Sequence, residues 1–168
     1  MKTTEHELIN SCEHYISLNY PRIEKCFAEL TEDEVWQRPN KSSNSIGNLT
    51  LHLCGNITQY IISALGGNED KRKRDTEFST ENSFRKTELL QKLKDVSDTA
   101  IKIISTLSED QLTGIYSVQG YEKSGIAILI HVTEHYSYHT GQIVFHTKML
   151  KNIDTGFYKG MDLNIKNK

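Results

Sequence analysis

Apolar residues recur three and four positions apart through most of the chain, the spacing of one face of a helix. Over residues 4–29 they are Leu8, Cys12, Tyr15, Ile16, Ile23, Cys26 and Phe27, running on to Leu30. Pro21 lies inside that stretch. A proline removes a backbone donor and crowds the preceding turn, so a kink or local break is expected there. Thr31 followed by Glu34 has the form of a capping box and opens a short turn, TEDEVW. RPNKSSNS then reads as a loop, and Ser45 as the N-cap of a second helix over 46–65, closed by Gly66 and Gly67. GGNEDKRKRDTEFST is a long polar connection. A third helix is expected over 81–107, with Leu89, Leu93, Val96, Ala100, Ile103, Ile104 and Leu107 as its buried stripe. SEDQL reads as a further turn and GIYSVQGYEKSG as an irregular crossing. Ser124 is placed to cap a fourth helix over 125–150, and the tail 153–168 reads as irregular. No strand pattern or internal repeat stands out. Four long helices with short connections and one longer loop predict an all-α four-helix bundle, a single domain over 1–168, with short extra helical turns in the connections.

Composition narrows the function classes. The chain has 168 residues, enough for a real core, and a formal net charge of −2. That balance supplies no bulk attraction to nucleic acid or to an anionic membrane. KRKR at 71–74 is flanked by Glu69, Asp70, Asp75 and Glu77, which makes it a solvated loop rather than a phosphate patch. The stretch MKTTEHELINS lacks the apolar core of a signal peptide, and the run IAILI is far too short to span a bilayer. Three cysteines without CxxC spacing favour a reduced, cytoplasmic setting. No Gly-rich phosphate loop and no GxSxG elbow is present. Gly55 sits mid-helix, where glycine costs about 1 kcal/mol against alanine.

The histidines carry the candidate chemistry. Four of the seven fall in HVTEHYSYHTGQIVFH: His131, His135, His139 and His146. On a helix, residues four apart are offset by about 40° and lie about 6 Å apart along the axis, so the first three form a slowly winding ridge. The core stripe of the fourth helix extends through Ile128, Val132, His135, Tyr138 or His139, Gln142, Phe145 and Met149. His135 and His139 therefore point inward, with the spacing at which two imidazoles share one metal ion. In a bundle the remaining ligands come from facing helices. The second helix has the inward stripe Ile46, Leu49, His52 or Leu53, Asn56, Ile57, Tyr60 and Ala64, and it carries one histidine, His52. Three histidines and an open fourth position are the pattern of a catalytic metal site. Asn56, His131 and Gln142 are the candidates to support the ligands from behind, with Glu134 as another. His146 is off the ridge and reads as structural.

Two segments, SIGNLTLHLCGNITQYI and HVTEHYSYHTGQI, resemble the DinB-like (DinB/YfiT-like) superfamily of metal-dependent enzymes. The resemblance implies a four-helix bundle holding a divalent metal, nickel or zinc, on three histidines. His52 matches the ligand of the second helix, and His135 and His139 match the HxxxH that runs into Gly141 and Gln142. Many members carry Arg after the last ligand, where this chain has Thr140. The resemblance also implies a homodimer and transfer of a low-molecular-weight thiol to a small-molecule substrate. The alternatives on the same three histidines are a metal-dependent hydrolase and a non-catalytic, stress-induced metal-binding protein.

Overall fold

The computed structural model describes residues 4–167, so the first three positions and the last residue of the tail lie outside the described residues. Four long helices form a bundle: α1 (Thr4–Glu29), α3 (Ile46–Ile57), α5 (Lys86–Ile104) and α7 (Gly125–Lys151). α3 runs on without a break as a π-helical segment, Thr58–Leu65. α1 and α3 each pack against both α5 and α7. The centre is filled by Ile16, Ile23 and Phe27 of α1, Leu53 and Ile57 of α3, Leu89 and Leu93 of α5, and Val132 and Tyr136 of α7. Each such aliphatic side chain contributes about 1.5–3 kcal/mol on burial. α1 continues through Pro21. The expected local break is absent, because Ile16 and Ile23, fully buried on either side, hold the helix across the missing hydrogen bond.

The caps are those expected. Thr31 and Glu34 form a capping box on α2 (Glu32–Trp36). Ser45 caps α3, accepting from the Asn48 amide at 3.1 Å, and Ser124 caps α7 by accepting from the Ala127 amide at 3.2 Å. The third helix starts five residues later than its pattern suggests, since Asn82 adopts a left-handed backbone (φ 49°) that no continuing helix tolerates.

The connections differ more. The polar segment 66–85 contains α4 (Arg74–Ser79), and SEDQL contributes to α6 (Glu109–Thr113). The crossing read as irregular is an antiparallel hairpin, β1 (Ile115–Val118) with β2 (Tyr121–Ser124), in which Ile115 faces Ser124 and Val118 faces Tyr121. Its two turn residues, Gln119 (φ 52°) and Gly120 (φ 79°), are both left-handed, the requirement of a tight type I′ connection. Four-residue strands offer too few positions to show a period of two, and Gln-Gly is a weaker turn signal than Asn-Gly.

Two sequence readings are corrected. On α7, Ile128 and Val132 point into the core, but the buried register then passes through Tyr136, Thr140 and Ile143. Gln142, Phe145 and Met149 lie on the outer side, with Phe145 66% and Met149 60% exposed. The apolar residues of this helix occupy two faces, so periodicity alone does not choose the inner one. The basic run is not uniformly solvated either. Lys71 and Lys73 are exposed, whereas the Arg72 side chain is only 3% exposed and pairs with buried Glu77.

α4 is held against α3 by side chains that capture its C-terminal carbonyls, groups a helix end leaves unpaired. Asn48 Nδ2 donates to the carbonyls of Glu77 (3.0 Å) and Thr80 (2.8 Å), and Arg38 donates to that of Phe78. Asn48 is fully buried. Replacing it with Ala leaves buried acceptors unsatisfied, so Asn48→Ala is expected to lower unfolding stability by about 2 kcal/mol. Chemical denaturation of the wild type and variant measures this; a loss within 0.5 kcal/mol, the range of ordinary surface changes, would show that α4 is held by other means.

Candidate metal centre

α3 and α7 face each other across the bundle and bring His52, His135 and His139 together. One ring nitrogen from each lies within 4.8 Å of the others. His52 Nε2 stands 3.1 Å from His135 Nε2, and His139 Nε2 stands 3.2 Å from the same atom. Ligand nitrogens at about 2.0–2.1 Å from one tetrahedral ion stand roughly 3.3 Å apart, so the observed spacing fits a shared ion.

Hydrogen-bond logic assigns the tautomers. His52 Nδ1 faces Glu77 Oε2 at 2.9 Å, and His139 Nδ1 faces Gln142 Oε1 at 2.7 Å. Carboxylate and amide oxygens only accept, so each Nδ1 carries a hydrogen, and in its neutral form each ring presents Nε2 to the cluster as a lone pair. Arg72 Nη2 also approaches His52 Nδ1, at 3.2 Å, but a protonated Nδ1 cannot accept, and that approach is a packing contact. His135 Nδ1 is buried and meets no hydrogen-bond partner among the described residues. Two lone pairs therefore converge on a third nitrogen that has at most one hydrogen to offer. A cation satisfies all three. Burial pushes the His135 imidazole down to about 3, with the His139 and His52 rings adding to the effect. Burial also pushes His139 down to about 4, against the hydrogen bond it donates to Gln142, which raises it. Both rings are thus neutral near pH 7, the form that ligates a metal.

Behind His52 lies a buried ion pair absent from the sequence reading. Glu77 accepts from Arg72 Nε at 2.7 Å through Oε1, and from Arg72 Nη2 at 2.9 Å through Oε2. Burial raises the Glu77 pKa, but the Arg72 and His52 hydrogen bonds outweigh it and hold the carboxyl below its usual range. Gly55 makes room for this arrangement, since a Cβ there would run into the Glu77 carboxylate and the Arg72 guanidinium. The traces of this ion pair visible in the sequence were the mid-helix glycine and the acidic flank of the basic run, to which Glu77 belongs. A carboxylate behind a ligating imidazole fixes ring orientation and raises ligand basicity.

The other candidates divide. Gln142 supports His139 directly. Asn56 and His131 contact each other at 3.3 Å rather than either of the outer ligands, and His131 stacks on Tyr60 with ring centres 4.4 Å apart. His146 is buried and outside the cluster. His52 and His139 also form part of the wall of a 690 Å³ cleft between α7, α4 and the loop before α3. Among the described residues, no Asp, Glu or Cys lines it. The cysteines Cys12, Cys26 and Cys54 are all buried, and burial pushes the Cys54 thiol up to about 12. No helix among the described residues is long and apolar enough to cross a membrane.

The fold has solved counterparts. The chain is similar to a DinB-like protein of Bacillus subtilis, with a TM-score of 0.65 and 18% identity over 90% of this chain and 97% of that one. It is similar to a DinB-like protein of Bacillus cereus, with a TM-score of 0.63 and 16% identity over 80% and 87% of the two chains. It is also similar to a conserved protein of Enterococcus faecalis, with a TM-score of 0.71 and 15% identity over 91% and 99%. No curated protein matches the sequence. The model of one family, described as a protein of unknown function (DUF1572), matches residues 4–158. The chain therefore belongs to the DUF1572 family and carries the DinB-like fold.

Proposed function

We propose that His52, His135 and His139 hold one divalent ion, nickel or zinc, and that the site transfers a low-molecular-weight thiol to a small electrophile. The observation that carries the metal reading is the convergence of three Nε2 atoms, two of them fixed as lone pairs by Glu77 and Gln142. Imidazole donors suit both ions. The choice of nickel or zinc rests on the resemblance to DinB-like proteins.

The chain's own residues bind and orient. Glu77 and Gln142 hold the His52 and His139 rings, and Arg72 keeps the Glu77 charge compensated. A divalent ion on this triad supplies Lewis acidity, which lowers the pKa of a thiol or water that reaches it. The thiol reading is supported by what lines the cleft: among the described residues, no cysteine and no carboxylate stands there to serve as nucleophile or base. The nucleophile then arrives with the substrates. In the transfer, the S–H proton passes to solvent, the sulfur forms a bond to the electrophilic carbon, and the leaving group departs with the bonding pair.

Metal analysis of tag-free protein is expected to find about one equivalent of divalent ion after supplementation, as a site of ordinary affinity requires. His135→Ala is expected to lose it and His146→Ala to retain it. Less than about a tenth of an equivalent in the wild type overturns the reading.

Glu77→Gln keeps the shape but removes the charge behind His52. Competition with a chromophoric chelator is expected to show metal affinity weakened roughly 10- to 100-fold. Gly55→Ala should act in the same direction by displacing the carboxylate. Affinities equal to wild type in both variants would mean that Glu77 does not support the site.

For the reaction, metal-loaded protein is assayed with a model electrophile and a panel of cellular thiols. Turnover is expected with at least one thiol and is expected to vanish in His139→Ala. Metal binding without turnover favours a non-catalytic role, and equal turnover in the variant defeats the thiol-activation mechanism.

A further inference from the structure

We propose that the cleft beside His52 and His139 receives small molecules with an apolar body and an oxyanion, the oxyanion being held by Arg74. This names the ligand class of the site proposed above and rests on that reading for its chemistry, but not for binding itself.

The first observation is the apolar wall. Tyr138, Phe145 and Met149 lie along one side of α7 and are 56%, 66% and 60% exposed. All three line the same cleft as Phe78 of α4. Scattered exposed apolar residues need no explanation, whereas large ones gathered in one concavity mark a binding groove. The 690 Å³ volume is that of a small-molecule pocket.

Charge supplies the second observation. The chain has 22 Asp and Glu residues against 20 Lys and Arg, yet no acidic residue lines this cleft among the described residues. Arg74 is the one Lys or Arg in the lining. Its guanidinium carbon sits 4.9 Å from the centre of the Phe78 ring, and Phe78 in turn packs against His52 with ring centres 4.8 Å apart. Among the described residues Arg74 forms no ion pair. Arg72, two positions earlier, is engaged by Glu77 through Nε and Nη2 and by Gln59 through Nη1. The two arginines of one basic run thus have different duties: the buried one compensates a carboxylate, and the other offers an uncompensated planar fork in the lining of the cleft. Such a fork matches carboxylate, sulfonate or phosphate. Stacking on Phe78 limits the freedom it would lose on binding.

The test uses metal-free protein and two fluorescent probes of nearly the same body. One is 8-anilinonaphthalene-1-sulfonate, which carries an oxyanion; the other is N-phenyl-1-naphthylamine, which does not. Arg74→Gln is expected to weaken the sulfonate probe by roughly tenfold, the worth of one charge-assisted hydrogen bond, and to leave the neutral probe unchanged. Arg74→Lys should recover part of the loss, and Phe145→Ser should weaken both probes. Circular dichroism checks that each variant keeps its helices. The proposal is overturned if the wild type binds neither probe, if Arg74→Gln binds both as the wild type does, or if it weakens both equally. Undiminished binding in Phe145→Ser also overturns it, by placing the probes elsewhere. Because no metal enters this assay, an anion preference that depends on Arg74 stands even if metal loading fails, and successful metal loading does not rescue it.

Discussion

A buried carboxylate cannot stay charged without partners, and the Glu77 side chain shapes everything around it. Taking an ion out of water costs several kcal/mol unless close charges and hydrogen bonds answer it. Arg72 answers with two hydrogen bonds and His52 with one. That requirement explains why Arg72 leaves its basic run to lie inside the fold, and why α3 carries glycine at 55, where any side chain would occupy the carboxylate's place. It also explains the clamps on α4. Asn48 and Arg38 capture the backbone of residues 77–80 and so hold the carboxylate at the depth of the His52 ring. In return the carboxylate fixes the hydrogen of that ring on Nδ1 and aims the other nitrogen at the cluster.

α4 is short, but each of its sides has a task. Glu77 points into the bundle and orients a candidate ligand. Its neighbour Phe78 packs on the same His52 ring from the cleft side, and Arg74, one turn earlier, lies over Phe78. One six-residue helix with little stability of its own thus braces the candidate metal centre from behind and supplies part of the cleft wall. Its geometry is borrowed from α3 through the hydrogen bonds of Asn48.

α7 divides its work in a similar way. Tyr136, Thr140 and Ile143 seal the core, while the neighbouring register carries His135 and His139 and continues to Phe145 and Met149. A helix that is apolar on two faces usually has two things to cover. Here one face covers the core and the other forms the cleft, which is why the histidines sit at the border between dry and open regions. Burial keeps His135 and His139 neutral, and the cleft reaches the cluster at His52 and His139.

The local features of this fold were legible in the sequence because they depend on neighbours in the chain. Helical spacing placed all four long helices, and Thr31, Ser45 and Ser124 marked helix starts through bonds that span three residues. The HxxxH pair was legible for the same reason, since four residues on a helix fix which side chains stand together, and His52 stood out as the one histidine on the facing helix. What the sequence left open depended on residues far apart. Twenty-five positions separate Glu77 from His52, and only the docking of α4 brings them to 2.9 Å. Gly55 displayed its cost but not its reason, because the reason is a side chain from another element. The inner face of α7 was misread past Val132 because two apolar faces look alike until the partner helices choose between them. Whether each arginine of KRKR meets water, a carboxylate or an open cleft is decided by tertiary contacts that a run of like charges does not encode.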